Sequence, residues 1–153
     1  MITFERFARI TTERLSGVGS LSVDTSEEVG SWTWAVLLSN GMVGVAAVYD
    51  EREKRLFGYL VRPKQGLFRR ARLPSPGELD ETNWFLIEEI AARRGASPDE
   101  SAFNRVVTEE ELGRALDEYV DLLRHVEPEL NGDVELMEEI VRERRLADER
   151  PRR

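Results

Sequence analysis

Apolar residues recur at helical spacing at the start of the chain. The spacing predicts an amphipathic helix of about four turns, whose apolar face carries Phe4, Phe7, Ala8, Thr11 and Leu15. Gly17 follows, and glycine readily adopts the left-handed conformation that often ends a helix. We therefore expect the first element to be a helix that ends just before Gly17.

Residues 31–50 read SWTWAVLLSNGMVGVAAVYD, two strand-like runs joined by Asn40-Gly41. This pair is preferred in two-residue type I′ turns, which would place Ser39 opposite Met42 and Trp34 opposite Ala47. One face of the hairpin would then carry the larger side chains, namely Trp32, Trp34, Val36, Leu38, Val43, Val45, Ala47 and Tyr49. The other face has smaller residues, which would let a helix lie close.

Both faces of this hairpin are largely apolar, so we expect a sheet that is covered on both sides or used as an interface. A third strand is predicted at Arg55–Arg62, and the short charged turn before it favours an antiparallel meander. Aromatic residues at alternating positions of a hairpin are typical of a core. We therefore assign Trp32 and Trp34 to the core, with a ligand pocket as the alternative.

The second half of the chain has the start signals of helices. Ser or Thr lies three residues before Glu at Ser75–Glu78, Ser97–Glu100 and Thr108–Glu111, which is capping-box spacing. The first of these three helices, which starts at Ser75–Glu78, is expected to end near Arg94, before Gly95. The third carries an apolar stripe that starts at Leu112 and stops before Pro128. A last helix is expected after a cap at Asp133, with Val134, Met137, Ile140 and Val141 on its apolar side.

These elements predict one α+β domain over residues 1–153: an N-terminal helix, an antiparallel β-meander of three or four strands, and C-terminal helices packed on the sheet. Residues 147–153 lack an apolar period and are expected to form a frayed tail. The chain has no cysteine, its first ten residues lack a signal-peptide core, and no apolar run is long enough to span a bilayer. We expect a bacterial, cytoplasmic protein.

Charge is sorted along the chain. Residues 52–72 carry eight Lys or Arg and one acid, whereas residues 78–139 carry nineteen acids and five Arg. Such sorting indicates association more than chemistry. The acids of the third helix lie off its apolar stripe, so we expect a surface that binds a basic protein partner, such as a toxin or nuclease. The residues assigned to this surface are Glu110, Asp117, Glu118, Asp121 and His125.

The only histidine, His125, could share a helical face with Asp121 and Glu118 and bind a metal or transfer a proton. A zinc site normally has three or four protein ligands, and no such spacing is present. We therefore favour a surface histidine near a helix C-terminus. The sequence also lacks a serine-nucleophile elbow and a phosphate-binding glycine loop. No catalytic residue, metal or cofactor is assigned.

A basic segment follows the third predicted strand. Its cations surround Phe68 and could hold an anionic ligand; they are Arg62, Lys64, Arg69, Arg70 and Arg72. The net charge of −8 disfavours a long polyanion, so direct binding of nucleic acid is not expected. We favour a segment that pairs with the acidic helices of its own chain or simply stays solvated, with an anion site as the alternative.

The third helix and its exit carry a short pattern: Tyr119, Leu122 and Leu123, then Pro128, Leu130, Gly132 and Asp133. Coming after a β-meander, this pattern resembles segments of small bacterial immunity proteins, which neutralise toxins delivered between competing cells. The resemblance covers about a tenth of the chain and its general architecture. It implies a cytoplasmic, non-enzymatic binder, and it transfers no catalytic residue to this sequence.

The leading hypothesis is therefore an acidic binding protein of the immunity or inhibitor type. One alternative is a small acidic dimeric chaperone or adaptor that associates with a second copy through the apolar sheet face. Another is an anion-binding or enzymatic domain that uses the basic segment, with His125 as acid or base.

Overall fold

The computed structural model describes residues 2–62, 84–98 and 105–149. Within these residues, one antiparallel sheet contains five strands in chain order: β1 Ser22–Glu28, β2 Thr33–Ser39, β3 Gly44–Asp50, β4 Arg55–Val61 and β5 Trp84–Leu86. The helices are α1 Phe4–Leu15, α2 Ile87–Arg93, α3 Glu109–His125, α4 Glu127–Leu130 and α5 Glu135–Glu149. The predicted α+β fold is confirmed, and the sheet has more strands than the three or four expected.

The predicted turn between β2 and β3 is wrong by two residues. Ser39 pairs with Gly44 instead of Met42, so Trp34 lies opposite Tyr49 and not opposite Ala47. A shift of two residues keeps every side chain on its predicted face, because side chains alternate along a strand. The two aromatic rings stack with their centroids 5.8 Å apart.

The side chain of Asn40 explains the wider turn. Its Oδ1 accepts hydrogen bonds from the backbone N–H groups of Met42 and Val43, at 2.9 and 3.0 Å. Its Nδ2 donates to the carbonyl oxygens of Gly19 and Leu130, at 2.9 and 2.7 Å. A type I′ turn needs a positive φ at both central residues, and here Gly41 has one and Asn40 does not. Contacts outside the hairpin therefore set its turn.

The described helices pack on the sheet face that carries Trp34 and Tyr49. Buried residues from α1 to α5 form one cluster with this face, and the second cluster, on the opposite face, contains no residue of these helices. None of the described helices therefore lies on the small-residue face, where a helix was expected to fit. The first face also has small residues where they are needed: Ala47 and Gly58 pair across β3 and β4, and the ring of Tyr119 on α3 covers Gly58.

The opposite face of the sheet is buried as well, as expected from its apolar side chains. Ala35, Leu37 and Ala46 are each 0 to 1% exposed. Trp84 of β5 belongs to this second cluster, and its ring meets that of Tyr59 edge-on, with 5.4 Å between centroids. Both faces of the sheet are thus inaccessible at their centre.

The helix predicted from Ser75 to about Arg94 is confirmed over Ile87–Arg93 and is wrong at residues 84–86. Residues 84–86 form β5, which pairs with Tyr59–Val61 of β4. Three consecutive large apolar residues fit this edge strand because Trp84 and Phe85 enter opposite faces of the sheet. The helix begins at Ile87 and ends before Gly95, whose φ is +93°. Its start signal at Ser75–Glu78 lies outside the described residues, as does the second half of the one at Ser97–Glu100.

The remaining helix signals are confirmed. Helix α3 begins directly after Thr108, although the Thr108 hydroxyl faces the Glu111 carboxylate at 3.4 Å and makes no bond to a backbone N–H. Asp133 Oδ1 accepts a hydrogen bond from the backbone N–H of Glu135 at 3.0 Å, as a cap should. Helix α5 continues to Glu149, into the segment that was expected to fray.

An ion pair with a buried carboxylate connects the end of α2 to α4. The side chain of Glu129 is 0% exposed and accepts two hydrogen bonds from the Arg94 guanidinium, at 2.9 and 3.0 Å.

Strand β1 forms one edge of the sheet, and its pairing with β2 shifts between Val23 and Thr25. This shift places a bulge in the edge strand.

The contact between Gly58 and Tyr119 makes a direct prediction. A Cβ atom at position 58 would lie 2.6 Å from the Tyr119 ring, so Gly58→Ala should destabilise the protein by about 1–3 kcal/mol. Gly113→Ala in α3 is the matched control, because the nearest atoms to its Cβ would all belong to the guanidinium end of the flexible Arg14 side chain. The control should be neutral or stabilising by up to about 1 kcal/mol. Urea unfolding of both variants checks this, and equal effects would contradict it.

Candidate functional site: an acidic cleft at one end of the sheet

Most of the acidic residues assigned to partner binding already have a cation of their own chain. Asp117 contacts Arg14 of α1 at 2.6 Å, and Asp121 contacts Arg124 at 3.2 Å. Glu118 contacts Arg105 at 2.7 Å and also lies 3.7 Å from Arg114. The charge on the middle of α3 is therefore largely balanced before any partner arrives.

Glu110 and His125 differ from these residues. Both are exposed, and neither forms an ion pair or a side-chain hydrogen bond with any residue in the described part of the chain. They lie at opposite ends of the 17-residue helix α3, so the structure does not bring them together. Of the five predicted residues, Glu110 lines a concave surface formed by described residues.

That surface is a cleft of about 490 Å³ beside the N-terminus of α3. It lies between the end of β3, the β3–β4 turn and the first turn of α3. The described residues that line it are Ile2, Tyr49, Glu51, Lys54, Thr108, Glu109 and Glu110. Three carboxylates and one ammonium group therefore share its wall.

Two hydrogen bonds to Val107 fix the wall of the cleft. The backbone N–H of Val107 donates to the carbonyl oxygen of Lys54 at 2.6 Å, and Lys54 adopts a positive φ of 53° to present it. The Tyr49 hydroxyl donates to the carbonyl oxygen of Val107 at 2.8 Å. The segment before α3 is thereby attached to the end of the sheet, which places Thr108 and the acids after it at the cleft.

The cleft has a negative electrostatic character. Glu109 pairs with Arg6 at 2.7 Å, whereas Glu51 and Glu110 form no ion pair among the described residues. Burial raises the pKa of Tyr49 to about 12, and the nearby charges of Glu51 and Asp50 add to this effect. The phenol therefore stays neutral and serves as a hydrogen-bond donor at any physiological pH.

Two exposed apolar side chains are attached to the same end of the molecule. Trp32 is 53% exposed, and its carbonyl oxygen accepts a hydrogen bond from the backbone N–H of Glu51 at 2.7 Å. Val106 is 55% exposed and precedes the anchored Val107. Assigning Trp32 to the core was wrong, because β2 begins one residue later and leaves Trp32 in the connection from β1. Trp34 is in the core as predicted, at 6% exposure.

The alternative anion site is only partly within the described residues. Arg62 contacts Glu138 of α5 at 3.2 Å, so this guanidinium pairs with an acid of its own chain. The other four cations, Lys64, Arg69, Arg70 and Arg72, lie outside the described residues.

Across residues 2–62, 84–98 and 105–149, no group of three or more His, Asp or Glu is arranged to hold a metal ion. No helix in those same ranges is both long and apolar enough to cross a membrane.

Sequence reasoning found Glu110 but missed the rest of the cleft. Tyr49 and Glu51 lie more than fifty residues before Thr108 in the chain, and only the fold brings them to it. The strand-to-turn boundary at Tyr49-Asp50 gave a local signal for an end of the sheet, but no signal for what would lie against it.

A comparison of the chain with protein-family models, with curated proteins and with solved structures finds no match in any of the three.

The bond between Tyr49 and Val107 can be tested by stability. Tyr49→Phe keeps the aromatic packing but leaves the Val107 carbonyl without its donor, so it should cost about 1–3 kcal/mol. Tyr59→Phe is the matched control, because no described group forms a hydrogen bond with the Tyr59 hydroxyl; its effect should be below about 0.5 kcal/mol. Denaturant unfolding measures both, and a Tyr49→Phe protein as stable as the control would show that this bond does not hold the cleft wall.

Proposed function

We propose that this protein is a non-enzymatic binding protein of the immunity or inhibitor type, which captures a basic protein partner at the acidic cleft. The observation that carries the proposal is the cleft itself. Its wall includes two acids without an ion pair among the described residues, Glu51 and Glu110, and an exposed tryptophan is attached to its edge. The charge of this surface is therefore available to a partner.

The chemistry of the cleft fits a guanidinium or ammonium group of a partner protein. A carboxylate accepts two parallel hydrogen bonds from a guanidinium, and an indole ring attracts a cation placed over its face. Lys54 lines the same cleft, but three carboxylates outnumber it. The negative charge of the whole chain, −8, would speed the approach of a basic partner.

The exposed tryptophan supports a protein as the partner. Tryptophan and arginine are enriched among the residues that contribute most to protein interfaces, and such residues are surrounded by polar side chains. Trp32 has this setting, with Glu51 beside it in the hydrogen-bonded turn. The dimeric alternative has less support, because the central residues of both sheet faces are buried in the single chain.

Capture from the native cell lysate at low salt tests this function. The wild-type protein and a triple variant, Trp32→Ala, Glu51→Gln and Glu110→Gln, are immobilised side by side. A basic protein should bind the wild type, elute over a narrow salt range, and bind the triple variant at least tenfold more weakly once purified. The salt dependence is expected because the exposed charges of the cleft are screened by ions.

The matched control is the double variant Asp117→Asn and Asp121→Asn, which also removes two acids of α3. Both acids already pair with arginines of their own chain, so this variant should bind within about threefold of the wild type. If the control loses the partner and the triple variant keeps it, the partner binds the middle of α3 and the cleft proposal is wrong. If neither variant changes binding, the acidic surface is not the interface.

A further inference from the structure

A second cluster of ionisable groups lies inside the molecule, away from the cleft. Glu88 is in the first turn of α2 and is 8% exposed. Its Oε2 accepts a hydrogen bond from the Tyr119 hydroxyl at 3.3 Å, while its Oε1 is buried with no hydrogen-bond partner. A carboxyl group that is buried with one oxygen unsatisfied is costly to ionise.

No described cation compensates Glu88. Helix α3 contributes Tyr119 to its surroundings and β4 contributes Tyr59, both neutral phenols, and β5 has no ionisable residue. The adjacent Glu89 has a different environment, because it pairs with Arg144 of α5 at 3.0 Å. Two neighbouring glutamates of one helix therefore differ in burial and in charge compensation.

Within this cluster, Glu88 is the group whose charge changes near neutral pH. Burial raises the pKa of Glu88 to about 7, against smaller lowering effects of the Tyr119 hydroxyl and of its own backbone N–H. Burial and the proximity of Glu88 raise the pKa of Tyr119 and of Tyr59 above their ordinary value. Both phenols therefore keep their protons, and Glu88 is the member of the cluster that titrates near neutral pH.

The hydroxyl of Tyr119 has one proton and two acceptors. It lies 3.3 Å from the carbonyl oxygen of Leu56 on β4 and 3.3 Å from Glu88. A protonated Glu88 can donate to the phenol oxygen, which leaves the phenol proton for Leu56. An ionised Glu88 requires that proton for itself, and the Leu56 carbonyl then loses its bond to Tyr119. Ionisation therefore disturbs the contact of α2 with both α3 and β4.

We propose that Glu88 and Tyr119 form a pH-sensitive junction, which holds α2 against α3 and β4 while Glu88 is protonated and loosens when Glu88 ionises. In the unfolded chain Glu88 releases its proton near 4.5, and in the folded protein it does so near 7. The folded state binds more protons between these values, so the junction loses stability as pH rises from about 4.5 through about 7. The device is independent of the cleft.

Urea unfolding of wild type and Glu88→Gln between pH 5 and pH 8 tests the junction. Glutamine is neutral at every pH and can donate to the phenol oxygen. Because the unfolded carboxyl is already largely ionised at pH 5, the ratio of the two unfolding constants should favour Glu88→Gln by only about fourfold there. It should rise to about a few hundredfold at pH 8, the factor that corresponds to the difference between the two pKa values. Parallel stability curves across this range would overturn the proposal.

Glu89→Gln is the matched control on the same helix. It removes a carboxylate that pairs with Arg144, so the variant should gain no stability relative to wild type as pH rises.

Carbon-13 NMR of the wild-type glutamate carboxyls gives a readout that does not depend on a variant folding. One midpoint should lie near 7 and move higher in Tyr119→Phe, which removes the hydroxyl that stabilises the ionised form. If all midpoints lie near 4.5, the junction does not exist.

Hydrogen exchange measures the conformational part of the proposal. The protection factors of amides in α2, corrected for the intrinsic effect of pH, should fall between pH 6 and pH 8 in wild type and stay constant in Glu88→Gln. Protection that is constant in both proteins would show that Glu88 titrates without loosening the helix, and would overturn the junction.

Discussion

The position of α3 depends on one contact, the ring of Tyr119 against the bare backbone of Gly58. Only a glycine leaves room for an aromatic ring this close to a strand, and its neighbour across the sheet, Ala47, is also small. The ring also brings its hydroxyl to a β4 carbonyl and to Glu88. A single side chain therefore joins the apolar packing of the sheet to the polar junction beneath α2.

The same contact has a consequence at the other end of the helix. With Tyr119 fixed on β4, the first turn of α3 reaches the end of the sheet, where Val107 bonds to both Lys54 and Tyr49. The acids after Thr108 then lie beside the β3–β4 turn. The cleft therefore results from the position of α3 against the end of the sheet and not from the sequence of one loop.

Charge that is sorted along the sequence becomes mixed in space. The acids of α3 receive cations from α1 and from Arg105, which are remote from them in the chain or precede the helix. An exposed ion pair of this kind contributes little to stability. It nevertheless neutralises a surface charge that a partner could otherwise bind. The net charge of a segment therefore overstates the charge that is available to bind a partner. The available charge depends on which acids form ion pairs in the folded protein.

Most of the order of elements, except strand β5, could be predicted because it depends on local periodicity and on caps such as Asp133. The register of the β2–β3 hairpin could not, because the contacts of Asn40 with Gly19 and Leu130 come from distant parts of the chain. The cleft was predicted only at Glu110 for the same reason. Glu88 and Glu89 are indistinguishable in sequence, and tertiary packing alone makes one a buried acid and the other a surface ion pair.

Among the strands of the described residues, β1 forms one edge of the sheet, and an unpaired edge can recruit strands from other molecules into aggregates. Its sequence, SVDTSEE, carries three acids in seven residues, and the bulge after Val23 interrupts the regular row of backbone donors and acceptors. A second edge strand brought alongside would meet like charges and a mismatched ladder. The charge and the irregularity of β1 therefore disfavour the addition of a further strand at this edge.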